Sequence, residues 1–225
     1  MIKIEKTDVF GFEGAIRGLR NPMNSWEKSD SEDCFCIDNT ECKYYDKVND
    51  SCRCGCFAIG DNDMALAKKL IKAGSDHRKF MRMIHVQADV LAPIYFWKEY
   101  DTYKISTVAN SCSTMHTIHK REFTIDDFSH EHLSDGEYGN IELLKCVITC
   151  LNVARIKFIE TKDKKYWWQM IQLLPSSYNQ LRTIDLNYEV LLNIYHARKN
   201  HKLDEWHTFC DWIESLPYMK EFINA

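Results

Sequence analysis

Residues 72–116 read KAGSDHRKFMRMIHVQADVLAPIYFWKEYDTYKISTVANSCSTMH, and this run constrains the fold more tightly than any other. Gly74 can end a helix in a left-handed conformation that costs other residues energy. Polar and apolar side chains then alternate, imperfectly, over residues 80–91, which predicts a strand carrying His85 and Gln87. Pro93 has no N–H for a central strand, but its fixed φ suits a first helical turn, so PIYFWKEYDTY is predicted to be a helix. Aromatic residues fall on nearly every face of that helix, which predicts burial. A polar loop of Asn110, Ser111, Cys112 and Ser113 follows. Strand, helix and polar loop in this order can build the wall and rim of a binding site.

The flanking segments complete a helix-rich α+β domain. MIKIEKTDVF alternates as an opening strand, and GFEGAIRGLR has the pattern of a short helix whose basic end carries Arg17 and Arg20. Asp61 or Asn62 is placed to cap a helix through Lys72, with Leu66, Leu70 and Ile71 as its apolar stripe. Residues 141–159 are helical in pattern, and KKYWWQMIQLL is a second apolar run stopped by Pro175. LRTIDLNYEV fits a strand or a helix, whereas VLLNIYHARKN and LDEWHTFCDWIESL are helical. The organisation expected is one domain over residues 1–225, interrupted by an insertion over residues 31–58.

That insertion is marked by cysteine. Six of the ten cysteines fall between residues 34 and 56, in a polar, turn-rich stretch without a helical or strand period. Two close Cys-x-Cys pairs, Cys34 with Cys36 and Cys52 with Cys54, can offer four thiolates to a tetrahedral zinc, whose binding would replace the missing apolar core. The alternative is a flexible loop of free thiols or artefactual disulfides. The amino terminus has no apolar secretory core, so disulfides are not expected and a cytoplasmic protein is.

Charge and motif narrow the function classes. A net charge of -4 gives no basic field to track a polynucleotide backbone, but leaves room for a local basic pocket and one small anion. No run approaches the ~20 apolar residues of a membrane span. Gly-x-Ser-x-Gly, His-Glu-x-x-His, Gly-x-x-x-x-Gly-Lys and Gly-x-Gly-x-x-Gly are all absent from the sequence. A nucleotide would therefore be held by side chains. The candidates are Arg182, Arg198, Asn110, Ser111 and Ser113, whose forks, amide and hydroxyls suit a phosphate and a base edge. Each also has a plainer role open to it, as a solvated arginine or a capping serine.

The order of these residues resembles the flavin-dependent thymidylate synthases. KKLIKAGSDHRKF is similar to that family's helix, glycine turn and Glu-His-x-x-Phe element, with Asp76, His77 and Phe80 in the matching places. Ala92 and Pro93 keep the family's Ala-Pro helix start. Glu99 and Tyr100 stand where the family has Gln-Trp, and Thr102, Tyr103 and Lys104 where it has Arg-His-Arg. The Asn-Glu-x-Ser-x-Arg-Tyr loop is met, one residue late, by residues 110–116, which keep its Asn and Ser. LLPSSYNQLR and YHARKNHKLDEW resemble the later arginine-bearing segments, so Arg182 and Arg198 take their places.

This resemblance implies a helix-rich fold with a small, mostly antiparallel sheet, homotetrameric assembly, and methylation of dUMP at C5. FAD, methylenetetrahydrofolate and NADPH are the implied cofactors, and a pyrimidine mononucleotide the implied partner. The nucleotide set becomes Arg198, Arg182, Ser113, Asn110 and Glu99; the flavin set becomes His77, Tyr103, Lys104 and Ser111. Exchanging two arginines of the triplet for Thr102 and Lys104 removes bidentate anion contacts. A second reading follows: a divergent nucleotide-binding protein, of phage descent, without flavin chemistry.

Overall fold

The computed structural model describes residues 2–33, 45–46, 51–52, 57–136 and 139–225, with 45–46 and 51–52 as backbone only. In chain order the elements are β1 (Lys3–Phe10), α1 (Phe12–Arg20), β2 (Glu32–Asp33), β3 (Tyr45–Asp46), β4 (Ser51–Cys52), β5 (Phe57–Ala58), α2 (Asp61–Lys72), β6 (His85–Pro93) and α3 (Ile94–Tyr100). There follow β7 (Thr107–Ser111), α4 (Thr114–Thr117), α5 (Asn140–Thr161), α6 (Lys164–Leu173), β8 (Asn179–Asn187), α7 (Tyr188–Arg198), α8 (Asp204–Ser215) and α9 (Met219–Ile223). The result is a helix-rich α+β fold with a small antiparallel sheet. Among the described residues no helix is long and apolar enough to cross a membrane.

The principal sheet has four strands in the order β1-β6-β8-β7. Cross-strand side-chain pairs give its sense. Lys6 meets Asp89 while Phe10 meets His85, and Thr183 meets Asp89 while Asp185 meets Gln87. In each pair of strands the numbering runs up one and down the other, as antiparallel neighbours require.

Two compact units are formed. The first comprises Met1–Lys3, Val90–Tyr103 and Asn110–Arg182. Its core joins Ile118, Phe123 and Phe128 to Leu144, Ile148 and Leu151 of α5 and Met170 of α6. α3 is buried as its sequence predicts: Phe96, Trp97 and Tyr100 are almost inaccessible, and Trp97 packs edge-on to both of the others. Pro93 closes β6 and precedes the helix as its N-cap residue, which reconciles its lack of an N–H with both elements.

The second unit comprises Ile4–Asp89, Lys104–Ala109 and Thr183–Ala225. Phe12, Tyr188 and Phe222 centre its core, and the Tyr188 hydroxyl donates to the Pro217 carbonyl at 2.8 Å. The Lys79–Met83 stretch is a 3-10 turn, so the strand begins at His85 and not at Phe80. Adjacent Phe80 and Met81 are both buried, which a two-residue period cannot satisfy but a tight helical turn can. LRTIDLNYEV is split: strand as far as Asn187, whose side chain then accepts from the Val190 N–H and caps α7.

The start of α2 differs from expectation. Neither Asp61 nor Asn62 caps it; both lie inside the helix. The capping carboxylate is Asp30, which accepts from the N–H groups of Asn62 (2.9 Å) and Asp63 (3.1 Å). Gly60 is required here, because a Cβ would stand 2.3 Å from the Asp30 backbone oxygen. Asp63 itself is fully buried. Its carboxylate accepts from Arg20 Nε (2.7 Å), Ser29 Oγ (2.7 Å), Ser31 Oγ (2.6 Å) and the N–H groups of Asp30 and Ser31 (both 3.2 Å). The expected surface arginine at the end of α1 is thus a buried ion-pair partner. Beside this knot β2 and β5 pair, Glu32 with Ala58 and Asp33 with Phe57, so the two ends of the 31–58 segment meet.

Burial opposes the charge on Asp63, but the two serines and Arg20 outweigh it and hold the carboxyl below its usual range. A depressed folded value means the contribution is complete above the ordinary carboxylate range, and is lost as pH falls through the folded value. Asp63→Ala, which strands the buried Arg20, should lower the unfolding free energy by about 3–5 kcal/mol in urea titrations at pH 7. Its deficit against wild type should shrink on acidification.

Candidate active site

The first unit contains a cavity of about 270 Å³, near the lower end of small-molecule sites. Leu91, Ile118, Phe123 and Leu181 supply apolar lining, while Cys112, Thr114, Lys120, Asn179 and Gln180 supply polar groups. Lys120 is exposed, and no acid pairs with it among the described residues. Arg121 is engaged by the buried Asp127, a pairing that raises the guanidinium's pKa. Tyr178 also lines the cavity, and burial raises its phenol, so it stays neutral and can donate a hydrogen bond.

Gln180 ties this cavity to a predicted site residue. Its Nε2 donates to the Cys112 carbonyl (3.0 Å) and to Thr114 Oγ1 (3.3 Å), and its Oε1 accepts from Arg182 Nε (3.1 Å). The Cys112 N–H donates to the Leu181 carbonyl at 2.9 Å, which fixes the loop against the strand. Arg182 therefore stands beside the polar loop, with its guanidinium 4.4 Å from the centre of the Trp97 ring. Its Nη1 donates to Asp101 at 2.7 Å. Two of its nitrogens and one of its faces are occupied, which orients the fork and partly neutralises it.

The other predicted nucleotide residues divide. Ser113 is the N-cap of α4 and accepts from the His116 N–H at 3.2 Å, the capping role its sequence context also allowed. Asn110 is exposed on β7, and Glu99 is half-buried on α3 in the same unit. Arg198 belongs to the second unit, at the last turn of α7, where its guanidinium lies 4.8 Å from the Trp206 ring centre. Both predicted arginines are thus held against indole faces, each within its own unit.

Of the flavin set, Tyr103 and Ser111 lie in the first unit, and Lys104 and His77 in the second. His77 is exposed in the turn after α2. Of the metal set, Cys34, Cys36 and Cys54 lie outside the described residues, and Cys52 is described only as backbone.

A further polar cluster is only partly legible in the sequence. On the second unit's part of the sheet, His85 Nδ1 lies 3.2 Å from Asp185 Oδ1, and Gln87 Nε2 donates to Asp185 Oδ2 at 2.7 Å. Asp89 accepts from Thr183 Oγ1 (2.6 Å) and pairs with Lys6 (2.9 Å), contacts that lower its pKa. Lys6 has φ +50°, a left-handed conformation unusual for its type. The signal in the sequence is the alternation His85, Gln87, Asp89 and Thr183, Asp185 among apolar neighbours. The partner strand, whose class was ambiguous, hid it.

No protein-family model matches the sequence, and no curated protein matches it significantly. Solved structures do. Thymidylate synthase X from Helicobacter pylori, crystallised with FAD and dUMP, matches with a TM-score of 0.66 at 14% identity, over 99% of this chain and 97% of that one. The fold is that of flavin-dependent thymidylate synthase. The UMP/dUMP methylase PolB from Streptomyces cacaoi, bound with 5-Br UMP, matches with a TM-score of 0.61 at 12% identity, over 100% and 95% of the two chains. At such identities the thymidylate synthase fold is what is held in common, and side-chain chemistry must be argued from this chain.

Gln180 is the joint of the cavity wall. Gln180→Ala deletes three hydrogen bonds and leaves the Arg182 Nε short of an acceptor. It should lower stability by about 1–3 kcal/mol in urea titrations and speed tryptic cleavage after Lys120 and Arg121.

Proposed function

We propose that this chain binds a pyrimidine mononucleotide and transfers a one-carbon unit to its C5 position. The observation that carries this reading is the cavity beneath the polar loop, with Arg182 joined to its rim through Gln180, in a fold matched across 99% of the chain by a protein crystallised with dUMP. The cavity suits a base and sugar: apolar lining for the ring, and the Asn179 and Gln180 amides with the Tyr178 phenol for its polar edge. Lys120 and Arg182 are the charges assigned to phosphate. Arg198, Ser113, Asn110 and Glu99 complete the proposed nucleotide set.

For a flavin the donor set is poorer. Lys104 is the one cation among the four residues assigned to it with a fixed charge, joined by the Tyr103 phenol, the Ser111 hydroxyl and the His77 ring. One ammonium acts as a point charge and cannot grip a diphosphate as a fork does, so these residues do not fit a dinucleotide. No step is therefore assigned to flavin. The second reading, a nucleotide-binding protein without redox chemistry, is favoured by this same donor set. Self-association is part of the proposal, supported by Leu143, Cys146, Cys150 and Val153, which leave one side of α5 apolar and exposed.

Purified protein titrated with dUMP, UMP and dCMP should melt at higher temperature with the preferred nucleotide. Arg182→Ala or Arg198→Ala should weaken calorimetric affinity by about 1.5–3 kcal/mol if each guanidinium holds a charged partner. Bound dUMP should slow alkylation of Cys112 and leave Cys146 and Cys150 unaffected. Equal protection of all three, or no thermal shift with any pyrimidine nucleotide, would remove the reading. A visible flavin spectrum separates the redox enzyme from the binding protein.

A further inference from the structure

Glu189 is answered by two arginines where one would neutralise it. Arg78 Nε donates to its Oε1 at 3.2 Å, Arg82 Nη2 to the same oxygen at 3.3 Å, and Arg82 Nε to Oε2. Two guanidinium groups that share one carboxylate oxygen stand side by side, and the single acid between them offsets only part of their repulsion. We infer that the face made by Arg78, Arg82, Asn193 and His196 binds a diphosphate group, as free pyrophosphate or as the tail of a nucleotide. This face lies wholly in the second unit and is independent of the proposed function.

Arg78, Arg82 and Asn193 present only donors to a ligand. Arg78 Nη2 donates to Asn193 Oδ1 at 2.9 Å; since a guanidinium cannot accept, the amide oxygen is fixed toward it. Asn193 is exposed, and its Nδ2 is therefore a donor turned away from the arginine. Arg82 Nη2 also reaches the Ser75 carbonyl at 3.4 Å. Nη1 of each fork, with its two N–H groups, has no partner among the described residues. The Glu189 side chain is 10% exposed against 47% for Arg82, so an incoming anion meets the fork before the acid.

Charge points the same way. Arg78, Arg82 and Lys199 are three fixed cations around two carboxylates, Glu189 and Asp76, the latter acting on Arg82. His196 follows Asn193 by about one turn of α7. Burial, then the Lys199 ammonium and the Arg78 guanidinium, hold its ring below the ordinary histidine range. A ring kept neutral by neighbouring cations takes up a proton more readily once an anion arrives, so His196 reports occupancy.

Two forks suit two phosphoryl groups, because each can grip one bidentately where a lone ammonium cannot. Glu189 and Asn193 already set the rotamers of both arginines, so little side-chain freedom is lost on binding.

The test titrates inorganic pyrophosphate into the full chain, by calorimetry and by NMR of the histidine rings, with ionic strength held constant by sodium chloride. Saturable binding with a raised His196 pKa is expected. Arg82→Gln, which leaves Arg78 on Glu189, should weaken binding by about 10–100-fold. Asn193→Asp keeps an acceptor for Arg78 but replaces the outward donor by negative charge, so it should lose binding and keep its melting temperature. ADP separates the two sources: tighter binding than pyrophosphate assigns a nucleotide's tail, equal or weaker binding the free anion. No saturation by either, or a His196 pKa that moves no further than in sodium chloride alone, overturns the site. Wild-type affinity in either variant overturns it as well.

Discussion

A single carboxylate, Asp63, is the fixed point about which the second unit is organised. Five donors reach it from α1, from the turn at Ser29, Asp30 and Ser31, and from nowhere in its own helix. A charge with no accessible surface is tolerable only when it is well answered, and here Oδ1 takes Arg20 while Oδ2 takes the other four donors. The same turn places Asp30 on the first N–H groups of α2, so one short stretch of backbone neutralises a buried acid and starts a helix. A second acid, Glu189, works similarly: Arg78 and Arg82 both donate to it and depress its pKa, fastening the Lys79–Met83 turn to α7.

The first unit relies on a different device. Trp97 is buried, its indole N–H donates to the Gln180 carbonyl at 2.9 Å, and its ring carries Arg182. A guanidinium stacked, hydrogen-bonded and paired in this way has little rotamer freedom left to lose on binding a ligand, which favours affinity through preorganisation. Asp101 withdraws some of its charge in exchange. The relation between fold and chemistry is correspondingly loose: the fold is that of flavin-dependent thymidylate synthase, while residues 102–104 of this chain offer a hydroxyl, a phenol and an ammonium.

Much of the architecture could be read from local chemistry. The aromatic helix after Pro93, the left-handed stop at Gly74 with φ +103°, and the helices bearing Trp167 and Trp206 all follow from periodicity and breakers. Long-range partners could not. Nothing near Asp63 in the sequence reveals that it is answered by Arg20 and Ser29, because the donors stand 43 and 34 residues away. For the same reason local sequence points to Asp61 and Asn62 as caps of α2, whereas the carboxylate that serves its first N–H groups is that of Asp30. In the candidate site, Arg182 and the polar loop stand out by residue type and order, whereas Gln180, which joins them, has no motif to announce it. His85 was legible as a strand residue, but its partner Asp185 emerges only from strand pairing.

The short ladder between β2 and β5 has a consequence of its own. Asp33 and Phe57 are neighbours across it, so the chain departs from this ladder and returns to it at one place. Closing such a branch becomes only slightly harder as it grows, because loop entropy rises with the logarithm of length. The position is accordingly a natural splice point. A foreign peptide or a reporter module grafted there would inherit the clasp already provided by Ser31 and Tyr218, whose hydroxyls hold Gly60, Ile59 and Phe57.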